Sequence, residues 1–308
     1  MPATTAYRLF DMTLKRREQL SPSMVNFTFT ANDLDIATTF APDQRVKLFF
    51  PPENQGSVGM AAKFADGEDW YSAYKNMAAE QRPPMRTYTI RAVRPQKKEL
   101  DIEFVLHGDT GPASRWASRA RPGDALSINA PCSHYTGKAI GCEWRPPANI
   151  EHLLLVADET ALPAVMGIIE ELDKRFADAP KPRVQALLEV PLKADCRCIP
   201  QWIDAHWLPR EETRCCHGER LSRAVRTLPL KQPSTSAASV DGAEPAIDID
   251  EEILWEASVP ESSDSFYAWI ASESRVCLNI RRYLINELAV PKRQVSAMGY
   301  WCEGKAHP

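Results

Sequence analysis

The stretch HLLLVADETALPAVMGIIEELDKRFADAPKPRVQALLEV, residues 152–190, decides the fold. Residues 152–157 are a continuous apolar run of strand length. Residues 162–176 carry apolar side chains at the spacing of an amphipathic helix, and 183–190 repeat the buried-strand pattern. Two strands joined through a crossover helix pair in parallel, so this stretch specifies an α/β layer. The alternation resumes downstream: LSRAVRTL (221–228) reads as a helix, FYAWIA (266–271) as a strand, SRVCLNIRRYLINEL (274–288) as a helix and QVSAMGYW (294–301) as a last strand.

Upstream the pattern differs. SMVNFTFT (23–30), RVKLFF (45–50), RTYTIRA (86–92), ELDIEFVLH (99–107) and DALSIN (124–129) are short strand-like runs bounded by Pro, Gly and Asn/Asp. Their density predicts an antiparallel β-barrel over residues 1–137, followed by a parallel-sheet α/β domain over 150–308; 308 residues suffice for two cores. Residues 231–252 are polar, Ser/Ala-rich and acidic, and are expected to form a flexible surface insertion.

A formal net charge of −4 argues against general binding to nucleic acid or to anionic membranes, so small-molecule partners are expected. The first twenty residues lack an apolar core behind a basic start, and no run is long enough to span a bilayer. A cytoplasmic protein without membrane insertion is expected, with its eight cysteines as free thiols.

The strand at 86–92 carries unusual chemistry for its length. Alternation puts Arg86 and Tyr88 on one face and Thr89 and Arg91 on the other. A flavin would use each type: a guanidinium for phosphate or the pyrimidine edge, a tyrosine ring for stacking, and a threonine hydroxyl or backbone N–H for N5. An amphipathic strand with solvated arginines and a cross-strand aromatic is the alternative. HGDTGPASRWA (107–117) adds a Gly-Pro turn leading into a helix, whose first N–H groups, at Ala113 and Ser114, suit a pyrophosphate. ADETALPAV (157–165) places Asp158, Glu159 and Thr160 at the carboxyl end of the first parallel strand, where open sheets bind nucleotides; taken in isolation, plain N-capping is the better explanation of them. The chain has no G-x-G-x-x-G fingerprint.

Taken in order, R-x-Y-T-x-R (86–91), H-G-D-x-G-P-A-S-x-W-A (107–117), P-G-D (122–124), D-E-T-A-L-P-A (158–164) and G-Y-W-x-x-G (299–304) resemble the siderophore-interacting protein family of flavin-dependent ferric-siderophore reductases, with HWLPRE (206–211) and WIASESRVCLNIRRYL (269–284) also fitting. The resemblance implies a ferredoxin-reductase-like fold in which the barrel binds FAD and the α/β domain binds NAD(P)H. It implies that Arg86, Tyr88 and Thr89 hold the isoalloxazine and neighbouring phosphate, with Arg91 in the same motif. His107, Gly108, Ala113 and Ser114 would line the pyrophosphate and adenosine. Asp158, Glu159 and Thr160 would face the nicotinamide side, and Tyr300 and Trp301 would cover the flavin. Lys47 stands where the family places a basic group for anionic ferric chelates, and Arg45 shares its strand face. Two positions depart from the family: Cys302 and Glu303 where a basic residue is common, and Ala157 where glycine is common.

The implied reaction is reduction of Fe(III) in a ferric siderophore or other ferric chelate by NAD(P)H, with NADPH favoured if Lys193 or Arg197 meets a 2′-phosphate. No catalytic acid, base or resident metal is required. Ferredoxin is an alternative donor. Two other readings are a flavin reductase serving a small redox protein and a cysteine-based metal-binding module, since CRC (196–198) and CCH (215–217) supply Cys196, Cys198, Cys215 and Cys216; neither has C-x-x-C spacing. His134, His152 and His206 read as ordinary histidines.

Overall fold

The computed structural model describes residues 5–52, 58–64, 69–106, 108, 111–213, 215–230 and 254–305. His107 and the segment 231–252 lie outside the described residues. The chain divides into two compact units, Met1–Cys142 and Glu143–His307.

The first unit contains β1 (Tyr7–Ser21), β2 (Met24–Thr30), β3 (Arg45–Phe49), α1 (Met60–Lys63), α2 (Trp70–Asn76), β4 (Met85–Thr89), β5 (Ala92–Arg94), β6 (Glu99–Val105), α3 (Pro112–Arg119) and β7 (Ala125–Pro131). The strands form one antiparallel sheet in the order β4-β3-β7-β1-β2-β6-β5. Consecutive strands β4 and β5 thus stand at opposite ends of the sheet, which has to curl until those ends meet. Arg91, between them, donates its N–H to Asp101 O of β6 at 2.9 Å. This is the expected antiparallel barrel.

Strand β1 went unread in the sequence. Its first half buries Phe10, Met12 and Leu14 in strict alternation, but the second half, LKRREQLS, is charged and mostly exposed as it runs out in a hairpin with β2. A period-2 signal over three residues is diluted by that polar extension. Inside the barrel, Phe27 meets Phe104 edge-on at 5.0 Å and Trp116 of α3 at 5.3 Å, tying the helix to the sheet.

The second unit contains β8 (His152–Ala157), α4 (Leu162–Arg175), β9 (Arg183–Val190), β10 (Asp204–Pro209), α5 (Glu219–Thr227), β11 (Trp255–Glu256), β12 (Phe266–Glu273), α6 (Ser274–Arg282) and β13 (Val295–Trp301). The sheet order is β10-β9-β8-β12-β13-β11, parallel except for β11, which runs antiparallel to β13. Every residue of β8 and β12 is buried, as continuous apolar runs in central strands require. These neighbours are also where the strand order reverses, the switch point at which such sheets bind ligands.

The helix expected over 274–288 stops at Arg282. Tyr283–Glu287 continue as a π-turn, with Leu288 N–H bonded to Tyr283 O at 3.1 Å, and Ala289 leaves it at φ 54°. Apolar spacing alone does not separate a π-turn from the last turn of an α-helix.

Replacing Phe27 by Ala empties the centre of the barrel cluster, and its urea transition should lose about 3–5 kcal/mol of stability. A loss below about 1 kcal/mol would show that this ring is not a core element.

Candidate active site

In the first unit, two anion-seeking features share one set of aromatic neighbours. On β4, Tyr88 packs at 4.2 Å from Phe104 and 6.3 Å from Phe50. Trp116 of α3 lies 6.0 Å from each of the same two rings. The strand and the helix are therefore brought together through Phe50 and Phe104. Burial pushes the Tyr88 phenol up, keeping it neutral. Arg86 is half-buried and pairs with no carboxylate among the described residues; its Nη1 donates to Met85 O at 2.8 Å. In α3 the first intrahelical bond runs from Arg115 N–H to Gly111 O at 2.9 Å, and Pro112 has no N–H. The N–H groups of Ala113 and Ser114, in the first turn of α3, have no acceptor within the helix. A partly buried guanidinium and an open helix N-terminus fit the phosphates of a dinucleotide.

The other named residues of this unit separate by face. Cross-strand register pairs Lys47 with Thr87 and Arg45 with Thr89, so these four share the face opposite to Arg86 and Tyr88. Lys47 Nζ donates to Thr87 Oγ1 at 2.8 Å. Burial, then the positive charge of Arg45, lowers the Lys47 pKa from its usual value. Thr89 is buried. Arg91 pairs its Nε with Glu103 Oε1 at 3.1 Å, and Gly108 is exposed with φ 75°.

In the second unit the site is a cluster of carboxylates at the carboxyl end of the parallel sheet. Asp158, which follows β8, is fully buried. Its Oδ1 accepts from Thr160 N at 2.8 Å and Thr160 Oγ1 at 2.5 Å. Its Oδ2 accepts from Ser272 Oγ at 2.9 Å, Glu273 N at 3.1 Å and Trp301 Nε1 at 2.9 Å. Asp158 does not cap α4, whose N-cap is Ala161. It ties the end of β8 to the ends of β12 and β13.

Glu159 is gripped bidentately by Arg210, Oε1 to Nη2 at 2.6 Å and Oε2 to Nη1 at 2.7 Å. Arg210 also reaches Glu189 Oε1, at the end of β9, at 3.3 Å. Burial works to raise the Glu159 pKa, but His217 and Arg210 outweigh it and bring it to about 2 from the ordinary 4.5. The His217 ring meets Trp301 edge-on at 4.8 Å. Gly218 fixes the backbone beside it: φ is 75°, its N–H donates to Glu189 Oε1 at 2.8 Å, and a Cβ there would lie 2.0 Å from Val276 Cγ2.

Tyr300 stacks nearly parallel on Trp255, 5.9 Å between ring centroids and 5° between planes. Gly299 opens this segment, because a Cβ there would sit 2.3 Å from Ser274 Oγ. Cys302 is buried and Glu303 is exposed.

Sequence reading missed Arg210, Glu189, Ser272, Glu273 and the structural place of His217. A buried acidic pair after β8 demands a cation, and the arginine ending HWLPR was the available signal. In the sequence His217, within CCH, is one of five possible soft ligands of the alternative metal-binding reading. Among the described residues, no group of three or more His, Cys, Asp or Glu side chains is placed to hold a metal ion, and the eight cysteines are free thiols.

Comparison with known proteins shows the family. A family model described as a siderophore-interacting FAD-binding domain matches residues 13–135, and one described as siderophore-interacting protein matches 150–304; the chain belongs to the siderophore-interacting protein family. It is 26% identical to ferric vibriobactin reductase ViuB of Vibrio cholerae over 97% of this chain and 90% of that protein. It is 28% identical to the NADPH-dependent ferric-chelate reductase of Escherichia coli over 96% of this chain and 93% of that one. Among solved structures, the siderophore-interacting protein SipS from Aeromonas hydrophila matches with a TM-score of 0.67 at 26% identity, over 98% of this chain and 94% of that chain.

Arg210→Met leaves Glu159 and Glu189 buried without their guanidinium, and should cost about 3–5 kcal/mol at neutral pH. Because the folded pKa of Glu159 lies below the unfolded value, its stabilisation is present above about 4.5 and lost as pH falls toward 2. Urea melts at pH 7 and pH 3 should show the variant less stable and its acid limb flatter; equal stability at pH 7 would rule out this role.

Proposed function

We propose that the chain is an NAD(P)H-dependent flavoprotein that reduces Fe(III) in ferric siderophores or other ferric chelates. The observation that carries this is the pairing, around Phe50 and Phe104, of the Arg86–Tyr88 strand with the open N-terminus of α3. The names of the relatives support the substrate class. Bound FAD supplies the conversion of a two-electron hydride into single electrons. Overall, NAD(P)H and two Fe(III) give NAD(P)⁺, two Fe(II) and one proton, so no side chain has to act as acid or base. Fe(II) is held less tightly by hard oxygen ligands, which lets the metal leave the chelate.

In this reading the protein binds and orients. Arg86 and the N–H groups of Ala113 and Ser114 hold phosphate, and Tyr88 offers its ring. Thr89, Arg91, His107 and Gly108 complete the FAD motif. The end of the parallel sheet, with Asp158, Glu159 and Thr160, is the NAD(P)H side, and Tyr300 and Trp301, at the end of β13, are the residues the family resemblance sets against the flavin. Lys47, backed by Arg45, meets the anionic chelate; the like charge of Arg45 makes an anion welcome there. NADPH is the proposed donor because Lys193 and Arg197 follow the carboxyl end of β9. A cytoplasmic location is proposed from the free thiols and the cofactor; among the described residues no helix is long and apolar enough to cross a membrane.

The deciding experiment is an anaerobic visible spectrum of the FAD-loaded protein, taken after NADPH and again after a ferric chelate. Bleaching followed by reoxidation with Fe(II) release is expected. Failure to bind flavin, or flavin that stays oxidised with NADPH, overturns the reading. Lys47→Gln should raise KM for an anionic ferric chelate roughly fivefold, the ~1 kcal/mol of a single accessible ion pair, with the rate of bleaching by NADPH unchanged.

A further inference from the structure

His217 brings to the carboxylate cluster an imidazole, the side-chain type whose charge changes near neutral pH. Its Nε2 lies 3.5 Å from Asp158 Oδ2, 3.6 Å from Glu159 Oε2 and 3.8 Å from Glu189 Oε1, all longer than a hydrogen bond but within ion-pair reach. The side chain is 19% exposed, and the three carboxylates are between 0 and 4% exposed. Glu189 Oε2 is buried and has no hydrogen-bond partner among the described residues. A neutral imidazole gives these groups little, whereas an imidazolium supplies a second cation beside Arg210.

The other nearby groups have defined roles. Arg210, beyond β10, is engaged by Glu159 and Glu189. Glu273, ending β12, accepts from Arg275 N, Val276 N and Glu303 N. Burial pushes the Cys277 thiol of α6 well up, so it stays protonated. On β13, Trp301 is the ring that His217 faces, and its Nε1–H goes to the same Asp158 oxygen that His217 approaches most closely. His217, Asp158 and Trp301 therefore close a triangle. A proton on the imidazole charge-assists its contact with Asp158 Oδ2, the oxygen that also accepts the Trp301 indole N–H.

We propose that His217, in its protonated form, is the positioning residue that holds Trp301 and Asp158 in the arrangement that receives NAD(P)H, so that flavin reduction slows as His217 loses its proton. This rests on the reading of the sheet end as the NAD(P)H side. Burial works to lower the His217 pKa, but Glu159, Asp158 and Glu189 outweigh it, leaving it above the ordinary 6.5. A raised value means that the triangle is fully held below the ordinary pKa and is released as pH rises through the folded one.

The test uses the full-length, FAD-loaded protein and two readouts. The first is the rate of flavin bleaching by NADPH under anaerobic single-turnover conditions, from about pH 6 to about pH 9. The wild-type rate should fall by roughly tenfold across this range, the effect expected for loss of one charge-assisted contact. His217→Gln should be slow throughout with no such fall, and His217→Lys, which keeps a cation there, should hold its rate at the alkaline end. The second is the indole Nε1–H resonance of Trp301, assigned by its absence in Trp301→Phe and followed without NADPH. It should titrate in the wild type and stay fixed in His217→Gln.

A Trp301 resonance that does not titrate, a His217→Gln profile that falls like the wild type, or a rate that rises with pH overturns the positioning role and leaves the reductase reading standing. Absence of bleaching by NADPH at every pH overturns both.

Discussion

The second unit depends on one buried carboxylate. Asp158 has no exposure, and a charge so placed is costly unless it is fully hydrogen-bonded. Five donors meet it: two from Thr160, one each from Ser272 and the Glu273 backbone, and the indole of Trp301. Every one is an N–H or O–H, so the site calls for an acceptor-only side chain. An asparagine would turn two hydrogens toward groups that are themselves donors. Through these bonds a single side chain draws together the ends of β8, β12 and β13. Glu159 and Glu189 then have to be neutralised locally, which explains an arginine gripping both.

The first unit is organised by the opposite need. Its acidic side chains on β6 are paired: Glu99 with Lys15, Arg16 and Arg94, Asp101 with Arg94, and Glu103 with Arg91. Arg86 is left outside that network, and the N-terminus of α3 adds two more donors without an intrahelical acceptor. Positive capacity is thus held in reserve on aromatic support, because the rings of Phe27, Phe50 and Phe104 anchor Trp116 and hence the helix. Core packing carries this geometry.

Much of this was legible in the sequence where a single physical rule acts over several residues. Strand β9 coincides with the run read at 183–190, since a short, mostly apolar run bounded by Lys-Pro and Pro has strand length and no room for a helix. The barrel was legible from strand density, and the family from ordered motifs. Strand β1 was not, because its exposed half carries the charges that usually mark a loop. The two-residue β11 is too short for any periodic signal. At the site, Tyr88 and Ser114 could be named from local chemistry, whereas Arg210 and Glu189 meet Glu159 only after three strands have aligned.

His217 shows why that last kind of information is lost. In the sequence it follows two cysteines and competes for attention as a soft metal ligand. In the fold its position is set by its neighbour Gly218, whose left-handed backbone and N–H to Glu189 leave room for neither a Cβ nor a different path. The imidazole is thereby carried to the carboxylates that end β8 and β9 and to the ring of Trp301. Local spacing names the residue type that can titrate. Only the register of the parallel sheet says which charges it titrates against, and those charges rather than the cysteines give this histidine its chemistry.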